Sequence, residues 1–132
     1  MSLTFINPES LGAPRGYANG VLTSGGRLLF ISGQVAWDSR QQILSSDFVA
    51  QFDKALENLL TVVHESGGTP DQIAKLVIYV TTKAEYLANT ARIGAAYRER
   101  MGRHYPAMVL VEVKSLLDDA AKVEIEGIAV LP

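Results

Sequence analysis

Apolar residues recur every three or four positions in the middle of the chain, and this spacing predicts one face of an α-helix. The positions concerned are Phe48, Phe52, Ala55, Leu56, Leu59, Leu60 and Val63. A serine or aspartate among residues 45–47 can cap the start of this helix by accepting an unpaired backbone N–H. Gly67, Gly68 and then Pro70 are typical of its end.

A second helical pattern runs from about Ala84 to Met101, and its apolar face is weaker. The stripe consists of Tyr86, Ile93, Tyr97 and Met101. Gly94 lies inside it, and a glycine in a helix costs about 1 kcal/mol relative to alanine. We nevertheless predict a single continuous helix here.

The remaining apolar segments predict strands. Gly25 and Gly26 separate "GVLTS" from "RLLFISGQV", and a two-glycine turn between two apolar runs predicts a β-hairpin. Strands rich in β-branched residues are also expected at residues 73–82, 107–113 and 122–131. The predicted fold is therefore α+β, a mixed β-sheet with two helices packed on one face.

Several of these strands are apolar at both alternating positions. The segments "LLFIS", "LVIYV" and "MVLVEV" have the pattern of strands that are buried on both sides. Two helices can cover only one face of the sheet. The simplest cover for the second face is another copy of the chain, so we predict an obligate homo-oligomer.

Composition narrows the class of protein. A chain of 132 residues predicts a single domain over residues 1–132. Twelve basic and fourteen acidic residues give a net charge of −2 without a basic stripe, which argues against nucleic-acid binding. The absence of cysteine excludes disulfides and thiol catalysis. With neither a signal-peptide pattern nor a long apolar run, we expect a cytoplasmic protein with no membrane partner.

Few residues suggest chemistry on their own. His64 and His104 belong to no cluster with metal-ligand spacing, so no metal site is predicted. Glu124 and Glu126 point to the same face of their strand. That face is either simply solvated or places a carboxylate beside a subunit cleft, where it could activate water.

Four short motifs occur in a characteristic order: "GYANGV", "FISGQV", "YPAMVLVEV" and "KVEIEGIAV". Together they resemble the RidA (YjgF) family over nearly the whole chain. The resemblance implies a chorismate-mutase-like α+β subunit that assembles as a homotrimer, with a ligand cleft at each subunit interface. The best-known members hydrolyse reactive enamines and imines, such as 2-aminoacrylate, to 2-keto acids and ammonia. They need no metal and no other cofactor.

The resemblance also implies site residues. Tyr17 and Ser32 match family positions, and Glu124 matches the glutamate that holds the attacking water. These three are the expected catalytic residues. Judged without the resemblance, Tyr17, Ser32 and the nearby Gln34 lie near strand ends, where turn or packing roles are more common.

The resemblance is incomplete where the family binds the substrate carboxylate. The deaminases have an arginine there, whose planar fork makes two parallel hydrogen bonds, and this chain has Met108. Leu110 replaces the family cysteine, and Gly94 replaces a helical asparagine when Tyr97 is aligned with the family tyrosine. The expected substrate-binding residues are therefore Met108, Leu110, Gly94 and Gln34.

A charged hydrogen bond contributes about 1.5–3 kcal/mol, so its loss should weaken imino-acid binding by about tenfold to a hundredfold. Arg15, Arg92 or Arg103 of a neighbouring subunit could compensate. The sequence thus predicts a divergent member whose substrate differs from 2-aminoacrylate. The alternative is a non-catalytic small-molecule-binding or regulatory module with an apolar cleft. Ribonuclease activity, described for some members, is disfavoured by the acidic net charge.

Overall fold

This computed structural model describes residues 3–132 of the chain, which form six strands and three α-helices. In chain order they are β1 (Thr4–Ile6), β2 (Gly20–Leu22), β3 (Arg27–Gln34), α1 (Phe48–Glu65), β4 (Ile73–Val80), α2 (Lys83–Ala88), α3 (Thr90–Met101), β5 (Ala107–Glu112) and β6 (Val123–Leu131).

The main sheet has the strand order β3-β6-β4-β5. β6 pairs antiparallel with both β3 and β4, whereas β4 and β5 are parallel. A parallel pair needs a crossover between its strands, and α2 with α3 forms that connection. Helix α1 packs against β6, β3 and α3, so the helices cover one face of the sheet. The predicted α+β fold is confirmed.

Helix α1 matches its prediction closely. Asp47 is the N-cap, and its side chain accepts a hydrogen bond from the Ala50 backbone N–H at 2.9 Å. All seven predicted apolar positions are buried in the core. The helix ends at Glu65, and Gly67 follows with a positive φ of 83° that few other residues adopt easily.

The predicted hairpin is wrong. β2 pairs with β1, and β3 pairs with β6 from the other end of the chain. Gly25 and Gly26 do take positive φ values of 71° and 90°, as the turn requires, but the turn leads from a small two-stranded sheet into the main sheet. A turn motif specifies the local path of the backbone, and strand partners depend on burial of the apolar residues of β3.

The prediction of a single continuous second helix is also wrong. The segment forms two helices, α2 and α3. Asn89 lies between α2 and α3 with φ −127° and ψ 21°, outside the helical region. Its side-chain amide donates to the Glu85 carbonyl at 2.7 Å. An asparagine side chain competes with the backbone for such groups and thereby favours a break.

The sheet face that points away from the helices, here called the open face, carries exposed apolar side chains. Leu28 and Phe30 of β3 and Val109 and Val111 of β5 belong to it, and Phe30 is 71% exposed. On the same strand as Val109, Met108 and Leu110 instead pack against the core. The two-sided apolar pattern of β5 therefore reflects one face packed against the core and one exposed in the single chain.

Candidate functional site

A cavity of about 260 Å³ lies beside α3 and the start of β5. Most of its lining is aromatic or aliphatic, and includes Phe52, Ile78, Tyr86, Ile93, Tyr105 and Met108. Gly94 and Arg98 of α3 complete that side of the lining. Two of the predicted substrate-binding residues, Met108 and Gly94, therefore come together in one cavity.

The segment around Tyr17 is held at the start of β5. The Ala18 backbone N–H donates to the Pro106 carbonyl at 2.9 Å, and Ala18 forms a parallel bridge with Ala107. Gly16 consequently lines the cavity, and the neighbouring Tyr17 is 38% exposed. The predicted residue Tyr17 is thus placed close to the cavity, although it is not part of its lining.

Two stacked tyrosines form one wall. The rings of Tyr97 and Tyr105 are 5.2 Å apart and nearly parallel, and the Tyr97 hydroxyl donates to the His104 carbonyl at 2.6 Å. Burial, with a smaller effect of Tyr105, raises the pKa of Tyr97 far above its ordinary value. Tyr97 therefore stays neutral and shapes the wall, and it is not suited to give up its proton.

Arg98 is a cavity residue that sequence reasoning missed. A Cβ placed on Gly94 would lie 3.1 Å from Nη1 of Arg98, so the guanidinium lies across the glycine. The spacing of four residues puts both on the same helix face, which is a signal the sequence did contain. Among the arginines proposed from the sequence, Arg92 instead pairs with Asp47 at 3.4 Å.

A second group forms on the open face, where β3 is irregular. The register of β3 against β6 shifts between Ile31 and Gln34, which indicates a β-bulge at Ser32 and Gly33. The Glu124 side chain lies on this bulge, because a Cβ on Gly33 would come within 2.8 Å of the Glu124 carboxyl carbon. The Glu124 side chain therefore lies against Gly33, the residue that follows the predicted catalytic residue Ser32.

These two groups lie on opposite faces of the sheet. Met108 aligns with Leu76 on the side that packs against the helices. Glu124 alternates with Val123 and Ile125, which face that same core, so Glu124 points to the open face. A single chain does not bring Met108 and Glu124 into one site.

The structure separates two further predicted residues from the cavity. Leu110 packs against the core beyond the cavity lining. The Gln34 side chain donates to the Ser32 carbonyl at 3.1 Å, and it lines a different depression together with Trp37 and Asn58.

Comparison with known proteins shows which family this chain belongs to. A family model described as endoribonuclease L-PSP matches residues 8–131. The chain belongs to this family. It is the RidA (YjgF) family predicted from the motifs, since solved structures of proteins with those names share the fold. The YjgF gene product of Escherichia coli, for example, is 29% identical, with a TM-score of 0.67 over 94% of this chain and 92% of that one.

Two further proteins are similar to this chain over most of their length. YyfB from Yersinia pestis, a Rid-family protein, is 34% identical with a TM-score of 0.86 and covers 99% of this chain and 100% of its own. Protein DfrA from Myxococcus xanthus is 31% identical over 93% of this chain and 88% of its own.

TdcF from Escherichia coli K12 is named as a candidate reactive intermediate deaminase, and it is 30% identical over 80% of each chain. A solved structure of Escherichia coli TdcF contains bound serine; it is 30% identical, with a TM-score of 0.68 over 92% of each chain. Within residues 3–132 of the present protein, no helix is long and apolar enough to cross a membrane.

Proposed function

We propose that this RidA-family protein hydrolyses a small reactive imine or enamine other than 2-aminoacrylate. The observation that supports this most directly is the position of Glu124. Its carboxylate lies against Gly33 of the bulge, it is partly exposed, and no hydrogen-bonded partner for it occurs among residues 3–132. The neighbouring Glu126, in contrast, accepts a hydrogen bond from the Tyr79 hydroxyl. Glu124 is therefore free to hold and activate a water molecule.

The proposed reaction is the addition of water to a carbon–nitrogen double bond. Glu124 accepts a proton from water as the new carbon–oxygen bond forms, and the nitrogen gains a proton. The carbon–nitrogen bond of the resulting carbinolamine then breaks. Imine and water give a ketone and ammonia, so atoms balance without an oxidant or a further reactant. The hydroxyls of Ser32 and Tyr17 orient the substrate.

Assembly of a homotrimer would complete the site. Met108 and Glu124 lie on opposite faces of one sheet, so a ligand can touch both only if they come from different copies. The exposed apolar side chains of the open face, Phe30 among them, support association through that face. In the cleft that we propose, the cavity of one subunit faces the Glu124 group of its neighbour.

One relative, TdcF of Escherichia coli, supports the substrate class. TdcF is named as a candidate reactive intermediate deaminase, and its solved structure holds serine, a small amino acid. Amino acids yield imines when they are dehydrated or oxidised. A small imine derived from an amino acid is therefore the substrate class that we propose, with an apolar substituent that packs against Met108.

The test is an imine-hydrolysis assay. An amino-acid oxidase generates imino acids in the presence of semicarbazide, and an active protein suppresses semicarbazone formation. We expect native protein to be active and Glu124→Gln to be slower by about a hundredfold or more, because general base catalysis contributes about 10²- to 10⁴-fold. Glu126→Gln, on the same strand and face, is the matched control and should keep most of the activity. Equal rates for native protein and Glu124→Gln would remove the role assigned to Glu124.

The second candidate function is non-catalytic binding of a small apolar or aromatic compound. It is favoured by the cavity lining, where Tyr86, Tyr105 and Met108 offer mainly apolar contacts. This function predicts that small aromatic compounds raise the melting temperature while imino acids are not turned over. An active native enzyme with no such stabilisation would exclude it.

A further inference from the structure

Helix α3 carries three arginines, and only one of them lacks a carboxylate partner within residues 3–132. Arg92 pairs with Asp47. Arg100 pairs with Asp53 at 2.6 Å and with Glu57 at 3.0 Å, and these partners raise its pKa. The guanidinium of Arg98 forms no hydrogen bond or ion pair in the described part of the chain. Its charge is therefore available to a ligand.

The position of Arg98 is set by Gly94. The guanidinium lies across this residue, with Nη1 3.1 Å and Cζ 3.9 Å from where a Cβ would be. A β-carbon at residue 94 would contact the guanidinium tightly, and the flexible end of Arg98 would have to shift slightly. Although glycine weakens a helix, here it allows a cation to lie along the helix surface beside the cavity.

The cavity then combines one cation with an apolar lining. Arg98 contributes the positive charge, while Ile93 and Met108 contribute apolar surface to the same space. At about 260 Å³, the cavity suits a small molecule. The planar fork of a guanidinium matches a carboxylate through two parallel hydrogen bonds.

We propose that Arg98 is the anion-binding residue of this cavity and that the ligand is a small monocarboxylate with an apolar substituent. The carboxylate is bound from helix α3, and the substituent packs toward Met108 on β5. The identity of that ligand as an imino acid, or as its 2-keto acid product, rests on the proposed function. The binding of a carboxylate by Arg98 does not.

The experiment measures binding by calorimetry with two probes, 4-methyl-2-oxopentanoate and its uncharged amide. Native protein should bind the acid about tenfold more tightly than the amide, because a charged hydrogen bond favours the acid. Arg98→Met should remove this preference, and Arg98→Lys should keep part of it because lysine retains the charge without the fork. Arg40→Met is the matched control, since Arg40 is exposed like Arg98 but lies outside the cavity lining, and it should behave as native.

Two results would overturn the proposal: no preference of native protein for the acid, or an unchanged preference in Arg98→Met. The semicarbazone assay separates this outcome from failure of the proposed function. If native protein and Arg98→Met hydrolyse imino acids with the same KM, the hydrolase stands and the role of Arg98 fails. If native protein binds the acid through Arg98 but turns over no imine, the anion site stands and the hydrolase fails.

Discussion

Single residues determine where the side chains of the candidate site lie, and Gly33 is the clearest case. It forms part of the bulge in β3, and the Glu124 side chain occupies the space where a β-carbon would be. Glycine at this position therefore acts by making room for a neighbouring carboxylate. A larger residue would leave the strand intact and move the carboxylate away from the bulge.

We predict that Gly33→Ala folds normally but loses at least about tenfold in imine hydrolysis, because its methyl group displaces Glu124 from the position of a general base. The semicarbazone assay measures the rate, and thermal unfolding confirms the fold. Gly20→Ala is the control, since a Cβ there would make only an ordinary contact with Ile6 at 3.7 Å. A Gly33→Ala protein with native activity would mean that the contact has no functional consequence.

Some residues of the candidate site could be predicted from the sequence, and others could not. Glu124 and Ser32 are predictable from motif resemblance, but the approach of Glu124 to Gly33 depends on a bulge between strands about ninety residues apart, which no local pattern reveals. The role of Arg98 is not predictable from the sequence, because an arginine on a helix is usually solvated. The four-residue spacing between Gly94 and Arg98 can be seen in the sequence, whereas the cavity beside these two residues can be seen only in the structure.

At the level of elements, β6 organises the fold. It is the central antiparallel strand, paired with β3 on one side and β4 on the other. Gly127 lies where α1 packs closely on this strand. A Cβ there would be 2.8 Å from the Lys75 carbonyl oxygen, 3.1 Å from Leu76 Cδ2 and 3.5 Å from Leu59 Cδ1.

We therefore predict that Gly127→Ala lowers the free energy of unfolding by about 1–3 kcal/mol, because the nearest atom belongs to the backbone and cannot move aside easily. Urea denaturation measures this change. The same Gly20→Ala variant should change the free energy of unfolding by no more than about 0.5 kcal/mol. Equal stabilities of the two variants would show that the helix and the strand adjust without strain.

Helices and strands with a strong apolar periodicity could be predicted from the sequence. The pairing of strands was harder to predict. The apolar spacing of α1 and its cap at Asp47 were enough to define that helix. The hairpin prediction failed because the turn glycines carry no information about the distant partner β6. The break at Asn89 was missed because apolar spacing continues across it while the backbone does not.

At the scale of the whole molecule, the open face has exposed apolar side chains that packing within a single chain does not explain. Phe30 and Leu28 project from β3 and Val109 and Val111 from β5, and all four are exposed. Tyr79 and Glu126 lie on the same face and bond to each other, and this bond raises the pKa of Tyr79. An apolar face on which Tyr79 and Glu126 already pair with each other is well suited to contact another copy.

The decisive residue for this assembly is Phe30, which aligns with Ile128 near the middle of the β3–β6 pairing and is 71% exposed. We predict that native protein has the mass of a trimer by light scattering, whereas Phe30→Asp is a folded monomer, because burying an unpaired carboxylate in an apolar interface is strongly unfavourable. Leu117→Asp is the control, since Leu117 is fully exposed in the connection before β6 and its change should leave the mass unaltered.

If the cleft joins two copies, monomeric Phe30→Asp also loses imine hydrolysis while keeping its secondary structure by circular dichroism. A stable native monomer at low concentration would refute the assembly, and an active Phe30→Asp monomer would show that one chain holds the complete site.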